Sequence, residues 1–111
     1  MMVFCYANAK TNRIQQTKTT MKNINHNIEI INKLGMHARA AAKFVSIASG
    51  FKSHVDVEKD GQRINGKSIM GVMMLAAGKG SFITLHINGE DAQLCAAALT
   101  QLVNNRFDEN E

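Results

Sequence analysis

The sequence predicts an α+β fold, an open-faced β-sandwich in which a four-stranded antiparallel sheet carries three helices on one face. Three observations predict it. Segments of strand-like alternation take turns with segments whose apolar residues recur every three or four positions, in the order β-α-β-β-α-β-α. Only the strands flanking Lys59, Asp60 and Gly61 are close enough for a tight hairpin, so the other connections are crossovers. With 111 residues, 45% of them apolar and 20% charged, the chain supports one domain with a core and is too short for two.

Ile28, Glu29 and Ile30 alternate as a first strand that ends in a turn over Asn32 to Gly35. Met36 to Gly50 reads as an amphipathic helix. Its Ala38, Ala41, Ala42, Val45 and Ala48 are spaced by threes and fours, and Gly50 stops it. The small residues on that face let the helix sit close to a sheet. In the second strand Val55 and Val57 point one way, and His54, Asp56 and Glu58 the other; the hairpin then leads into Gln62 to Asn65. Ser68 opens a short helix over Ile69 to Leu75, closed by Gly78 and Gly80. Phe82 to Ile87 alternates as the fourth strand, Asn88-Gly89 turns the chain, and Asp91 offers an N-cap. The last helix then carries Ala92, Cys95, Ala96, Leu99, Leu102 and Val103 on one face.

Residues 1–22 are set apart as an N-terminal extension, either disordered or read from a start upstream of the true one, for which Met21 is a candidate. They lack the basic start and the apolar length of a signal peptide. The domain proper is expected over 23–107, followed by a polar C-terminal tail at 108–111. No run of apolar residues is long enough to span a membrane. The two cysteines, Cys5 and Cys95, lie in unlike contexts and suggest neither a disulfide framework nor a zinc site, which fits the cytoplasm. A net charge of +4 raises the alternative of a nucleic-acid-binding domain. Yet residues 1–20 hold three of the bases and no acid, and residues 21–111 hold ten bases against nine acids, so the body is nearly neutral and nucleic acid is not the expected partner.

Chemistry is expected where Gly35-Met36-His37-Ala38-Arg39 joins turn to helix. A helix start presents free N–H groups and a partial positive charge, which attract an anion and disfavour imidazolium, leaving a ring lone pair of His37 as a nucleophile. Arg39 adds a charged fork suited to phosphate oxygens. Ile69, Met70 and Met73 divide between core and an exposed docking patch, and Lys43 between charge steering and simple solvation. His26, His54 and His86 are too scattered for a metal site, and Cys95 reads as a buried small hydrophobe. Gly78-Lys79-Gly80 lacks the spacing of a nucleotide loop and reads as a turn.

The run Gly35-Met36-His37-Ala38-Arg39-Ala40-Ala41 is followed by Asn65-Gly66-Lys67-Ser68-Ile69-Met70-Gly71-Val72-Met73, then by Leu75, Gly80 and Asn88-Gly89-Glu90-Asp91. Together they resemble the HPr family, histidine-containing phosphocarriers of the bacterial phosphoenolpyruvate-dependent phosphotransferase system, over roughly residues 23–107. The resemblance implies a monomeric carrier without a cofactor that is not itself an enzyme. It implies that His37 is phosphorylated on Nδ1 by phospho-enzyme I and dephosphorylated by enzyme IIA domains, with Arg39 as the active-site arginine. Ser68 matches a regulatory serine modified by an HPr serine kinase/phosphorylase in the bacteria that have one. Ala42, Lys43, Ile69, Met70 and Met73 fall on the surface that the family shares among its partners. Where the family commonly has proline after the arginine, this chain has Ala40, which keeps a backbone N–H. The alternatives are a regulatory phosphorelay without sugar transport and an adaptor controlled through Ser68 alone.

Overall fold

The computed structural model describes residues 22–111, so the expectations for residues 1–21 lie outside it. Its elements are β1 (Lys22–Glu29), α1 (Ala38–Ser49), β2 (His54–Lys59), β3 (Gln62–Asn65), α2 (Ile69–Met74), β4 (Phe82–Gly89) and α3 (Ala92–Asn104), followed by a 3-10 turn over Arg106–Asp108. The four strands form one antiparallel sheet in the order β1-β4-β2-β3. Three helices pack on one side of it, which is the open-faced sandwich expected.

The register explains the core. Ile28 faces Ile83, Val57 faces Leu85 and Val55 faces Ile87, so a single layer of branched side chains lies under the helices. Phe44, Ala41 and Ala48 of α1, Val72 of α2, and Cys95, Leu99 and Val103 of α3 close on that layer, and all are fully buried. Burial among these apolar neighbours pushes the Cys95 thiol up to about 11, as befits an inert core residue. The open face is polar. There His86 bonds Asn25 and Glu58 through its two ring nitrogens, and Asp56 meets His54 and Arg63.

Several details differ from the sequence reading, each for a physical reason. β1 starts at Lys22, six residues before Ile28. Its polar Asn23, Asn25 and Asn27 hide the alternation of Ile24, His26 and Ile28, and Lys22 pairs with Gly89 as part of the fold. The buried stripe of α1 is Ala40, Ala41, Phe44 and Ala48, with Ala38 and Ala42 exposed and Val45 only partly buried. The bulky Phe44 sets the rotation of the helix.

Asn88-Gly89 belongs to β4 and is not the turn. Gly89 has φ 158, and a Cβ there would lie 2.7 Å from Ser53 Cα, so the strand end closes against the start of β2. Asp91 stands at the N-cap position of α3 but makes no side-chain capping bond. Its carboxylate instead accepts from the Ser53 hydroxyl and from the backbone amides of Lys52 and Ser53, which together hold it below the usual carboxylate range. The break expected after Phe107 is no structural boundary. Phe107 is fully buried, and the residues after it fold back over the start of α1.

Candidate functional site

The end of the sheet where β1 stops and β4 begins is closed by the loop that carries His37. Gly80 N donates to Ile30 O at 2.7 Å and Met36 N donates to Ala77 O at 2.8 Å, which ties this loop to the segment after α2. Met36 is buried as an anchor, and His37 follows as the N-cap residue of α1 with an extended backbone. Its side chain makes no capping bond, so the amides of the first turn are not used by the ring next to them. Arg39, in the first turn, is exposed. It lines a cleft of about 320 Å³ with Lys33, Leu34, Glu109, Asn110 and Glu111. Glu109 lines the cleft of Arg39 and also contacts His37, so the guanidinium and the half-buried imidazole at the helix start flank one carboxylate, an arrangement fit to receive an anion beside a nitrogen nucleophile.

The structure adds two groups that the sequence reading missed. Glu109, placed in the C-terminal tail, brings Oε2 into hydrogen-bond contact with His37 Nε2. Asn32, read only as a turn residue, is fully buried, and its Nδ2 donates to Glu109 Oε1 at 3.0 Å and to Gly35 O at 2.9 Å. The Asn32 amide is the largest influence holding the Glu109 carboxyl below its ordinary value; burial opposes it, and His37 and Lys43 reinforce it. Lys33 and Lys43 also dock the chain end. Lys33 N donates to Glu111 O at 2.7 Å, and Lys43 Nζ donates to Phe107 O at 2.8 Å with Asp108 at 3.7 Å. Lys43 is thus engaged by the chain end while its side chain stays partly exposed. The one sequence signal for this return was Phe107, an apolar residue isolated in a polar segment.

Ser68 lies at the other end of α2. Its hydroxyl accepts from Gly71 N at 3.1 Å as an N-cap, and the neighbouring Lys67 Nζ donates to Phe51 O, just past the end of α1. Since Ala77, beyond the far end of α2, meets Met36, the length of the short helix separates Ser68 from His37. Between them the outer face of α2 is apolar and exposed: Met70 at 73%, Ile69 at 45% and Met73 at 41%, with Met74, which the sequence reading did not single out, at 65%. These side chains are not core. Ala42 is exposed on the adjoining α1.

Comparison with known proteins places the chain in a family. The family model described as the PTS HPr component phosphorylation site matches residues 24–105. The chain is 56% identical over 88 residues to phosphocarrier protein HPr of Neisseria meningitidis, covering 79% of this chain and 99% of that protein. It is 55% identical over 85 residues to the Pseudomonas aeruginosa protein of the same name, covering 76% and 94%. Among solved structures, HPr from Thermoanaerobacter tengcongensis superposes with a TM-score of 0.77 at 43% identity, over 79% of this chain and 99% of that one. A motif-bearing histidine at a helix start, an open-faced sandwich around it and relatives matched along nearly their whole length lead to one conclusion: the chain belongs to the HPr family of phosphocarriers of the phosphotransferase system.

Proposed function

We infer that His37 accepts a phosphoryl group on Nδ1 from phospho-enzyme I and passes it to enzyme IIA domains, in sugar uptake, its regulation, or both. The observation that carries this reading is the position of His37 at the start of α1, beside Arg39, in a chain of the HPr family. Nδ1 has no hydrogen-bond partner among the described residues, whereas Nε2 is taken by Glu109. Arg39 is the group suited to hold the phosphate oxygens as charge moves onto them. The protein carries the group between partners and does not turn over a substrate alone. The cytoplasm suits this role and the free thiol of Cys95, and no described helix is long and apolar enough to cross a membrane. The carrier unit spans 23–107, extended by Lys22 and by the docked chain end. Incubation with phosphoenolpyruvate, magnesium and enzyme I is expected to place one acid-labile, base-stable phosphate on the chain. Absence of label, or label stable to acid, overturns the reading.

The docking surface follows from the same reading. Ile69, Met70 and Met73, with Ala42 beside them, form an apolar patch that a partner desolvates on binding. Ser68 stands at its edge, so phosphate there reaches His37 only through the shared partner. Ser68→Asp keeps a capping side chain and is expected to leave Tm within a few degrees, because an anion at a helix N-terminus is favoured. Enzyme I has to desolvate the new charge, and His37 phosphorylation below saturating enzyme I is expected to slow several-fold. Equal rates for Ser68→Asp and wild type in that range would remove the regulatory role of this position.

A further inference from the structure

The geometry points to Asn32 and Glu109 as the residues that position the His37 ring for transfer: Asn32 holds the Glu109 carboxylate where it accepts a hydrogen bond from Nε2–H, which leaves the lone pair on Nδ1. This rests on the reading of Nδ1 as the phosphoryl acceptor and says how that atom is made available.

A neutral imidazole has one proton for two nitrogens, and the acceptor it faces selects which nitrogen keeps it. An ionised carboxylate can only accept, so Nε2 has to be protonated to meet it. The carboxylate in turn is held from behind. Its Oε1 accepts from Asn32 and its Oε2 faces His37, so each oxygen has its own partner. Asn32 is fully buried, and both partners of its Nδ2 are acceptors, Gly35 O and Glu109 Oε1, which fixes the orientation of the amide. The same orientation leaves Asn32 Oδ1 buried without a partner among the described residues. A side chain kept for stability alone is a poor match to that position. During transfer the Nδ1 electron pair forms the N–P bond, and the donor's bond to phosphorus breaks with its electrons staying on the donor. The proton stays on Nε2. The ring therefore gains positive charge while facing a carboxylate already in place, the role a third group plays behind an activated nucleophile.

Nitrogen-15 NMR of the histidine rings in the free protein reads the tautomer directly. In the full chain, with the ring neutral, His37 is expected as the Nε2–H tautomer. Glu109→Ala should move both ring nitrogens toward a mixture of tautomers while the backbone amide spectrum stays folded. It should also slow phosphate uptake from phosphoramidate, where the P–N bond breaks and ammonia leaves, by roughly tenfold or more, because the ring then gains positive charge with no carboxylate facing it. Asn32→Asp, which sets a like charge against Glu109, should shift the ring in the same direction with Glu109 intact. Adding Glu109→Gln to it restores an amide–carboxylate pair and should return the shift. A ring that keeps its tautomer in Glu109→Ala overturns the proposal, whether or not Asn32→Asp folds, and so does an unchanged uptake rate. The ring signal needs no phosphate, so a wild-type chain with the expected tautomer and no uptake from any donor would refute the carrier reading and leave the positioning contact standing.

Discussion

His37→Ala is expected to take up no phosphate from phosphoenolpyruvate and enzyme I, while folding as the wild type does. The loss is complete because the variant removes the imidazole that stands, among the described residues, at the start of α1; Arg39 and the helix start are suited to attract an anion but form no bond to phosphorus. The fold survives because the ring is partly exposed, makes no capping bond to α1 and lies outside the buried core, with Met36 and Ala40 on either side carrying the packing. Among the described residues the one side-chain hydrogen bond lost is that to Glu109. Tm is expected to stay within a few degrees, since about 1 kcal/mol corresponds to roughly 4–8 °C for a domain of this size. Stoichiometric acid-labile phosphate on His37→Ala would place the acceptor elsewhere.

Gly35→Ala is expected to be the most damaging single methyl group in the loop. Gly35 has φ 67, a conformation that costs an L-residue about 1–2 kcal/mol, and a Cβ there would lie 2.6 Å from Ala77 O and 2.8 Å from Gly78 Cα. Both neighbours are main chain, so no side chain can turn away to make room. The loop and the segment after α2 have to part, which strains the Met36 N to Ala77 O bond and shifts the carbonyl that Asn32 and His37 N share. A fall in Tm of at least about 10 °C is expected, from roughly 2 kcal/mol or more, together with slower phosphate uptake by the folded remainder. Gly61→Ala is the control. Its φ is 83 but nothing lies within 4 Å of the new methyl, so only the conformational cost applies. Equal melting of the two variants would show that the close approach at Gly35 is unimportant.

The parts of the fold that repeat locally were legible in the sequence. β3 over Gln62–Asn65 and the Ser68 cap of α2 follow from residues within a few positions of one another, as does the apolar face of α3. Of the candidate site, the places of His37 and Arg39 were legible because a helix start and its first turn are local too. What sequence could not supply was contact across the chain. Glu109 lies 72 positions from His37 and 77 from Asn32, and a single acid in a polar stretch has no period to mark which distant amide it will meet. The face of α1 was read wrongly for a related reason: alanines suit either side of a helix, and only the packing of Phe44 decides.

The sheet places the two described ends of the chain far apart. Lys22 pairs with Gly89 at one end of β1, and the eight residues of that strand run about 26 Å before the chain reaches the loop of His37, where Glu111 is bound by Lys33. Anything joined to the protein therefore acts differently at its two sides. A biotin or affinity handle joined directly to Lys22, in a chain shortened to start there, enters at the margin away from the histidine and leaves Arg39, the methionines of α2 and the cleft open for a surface-based binding measurement. One joined after Glu111 emerges from the rim of that cleft, pulls on the contacts of Lys33 and Glu109, and stands where an incoming partner has to dock.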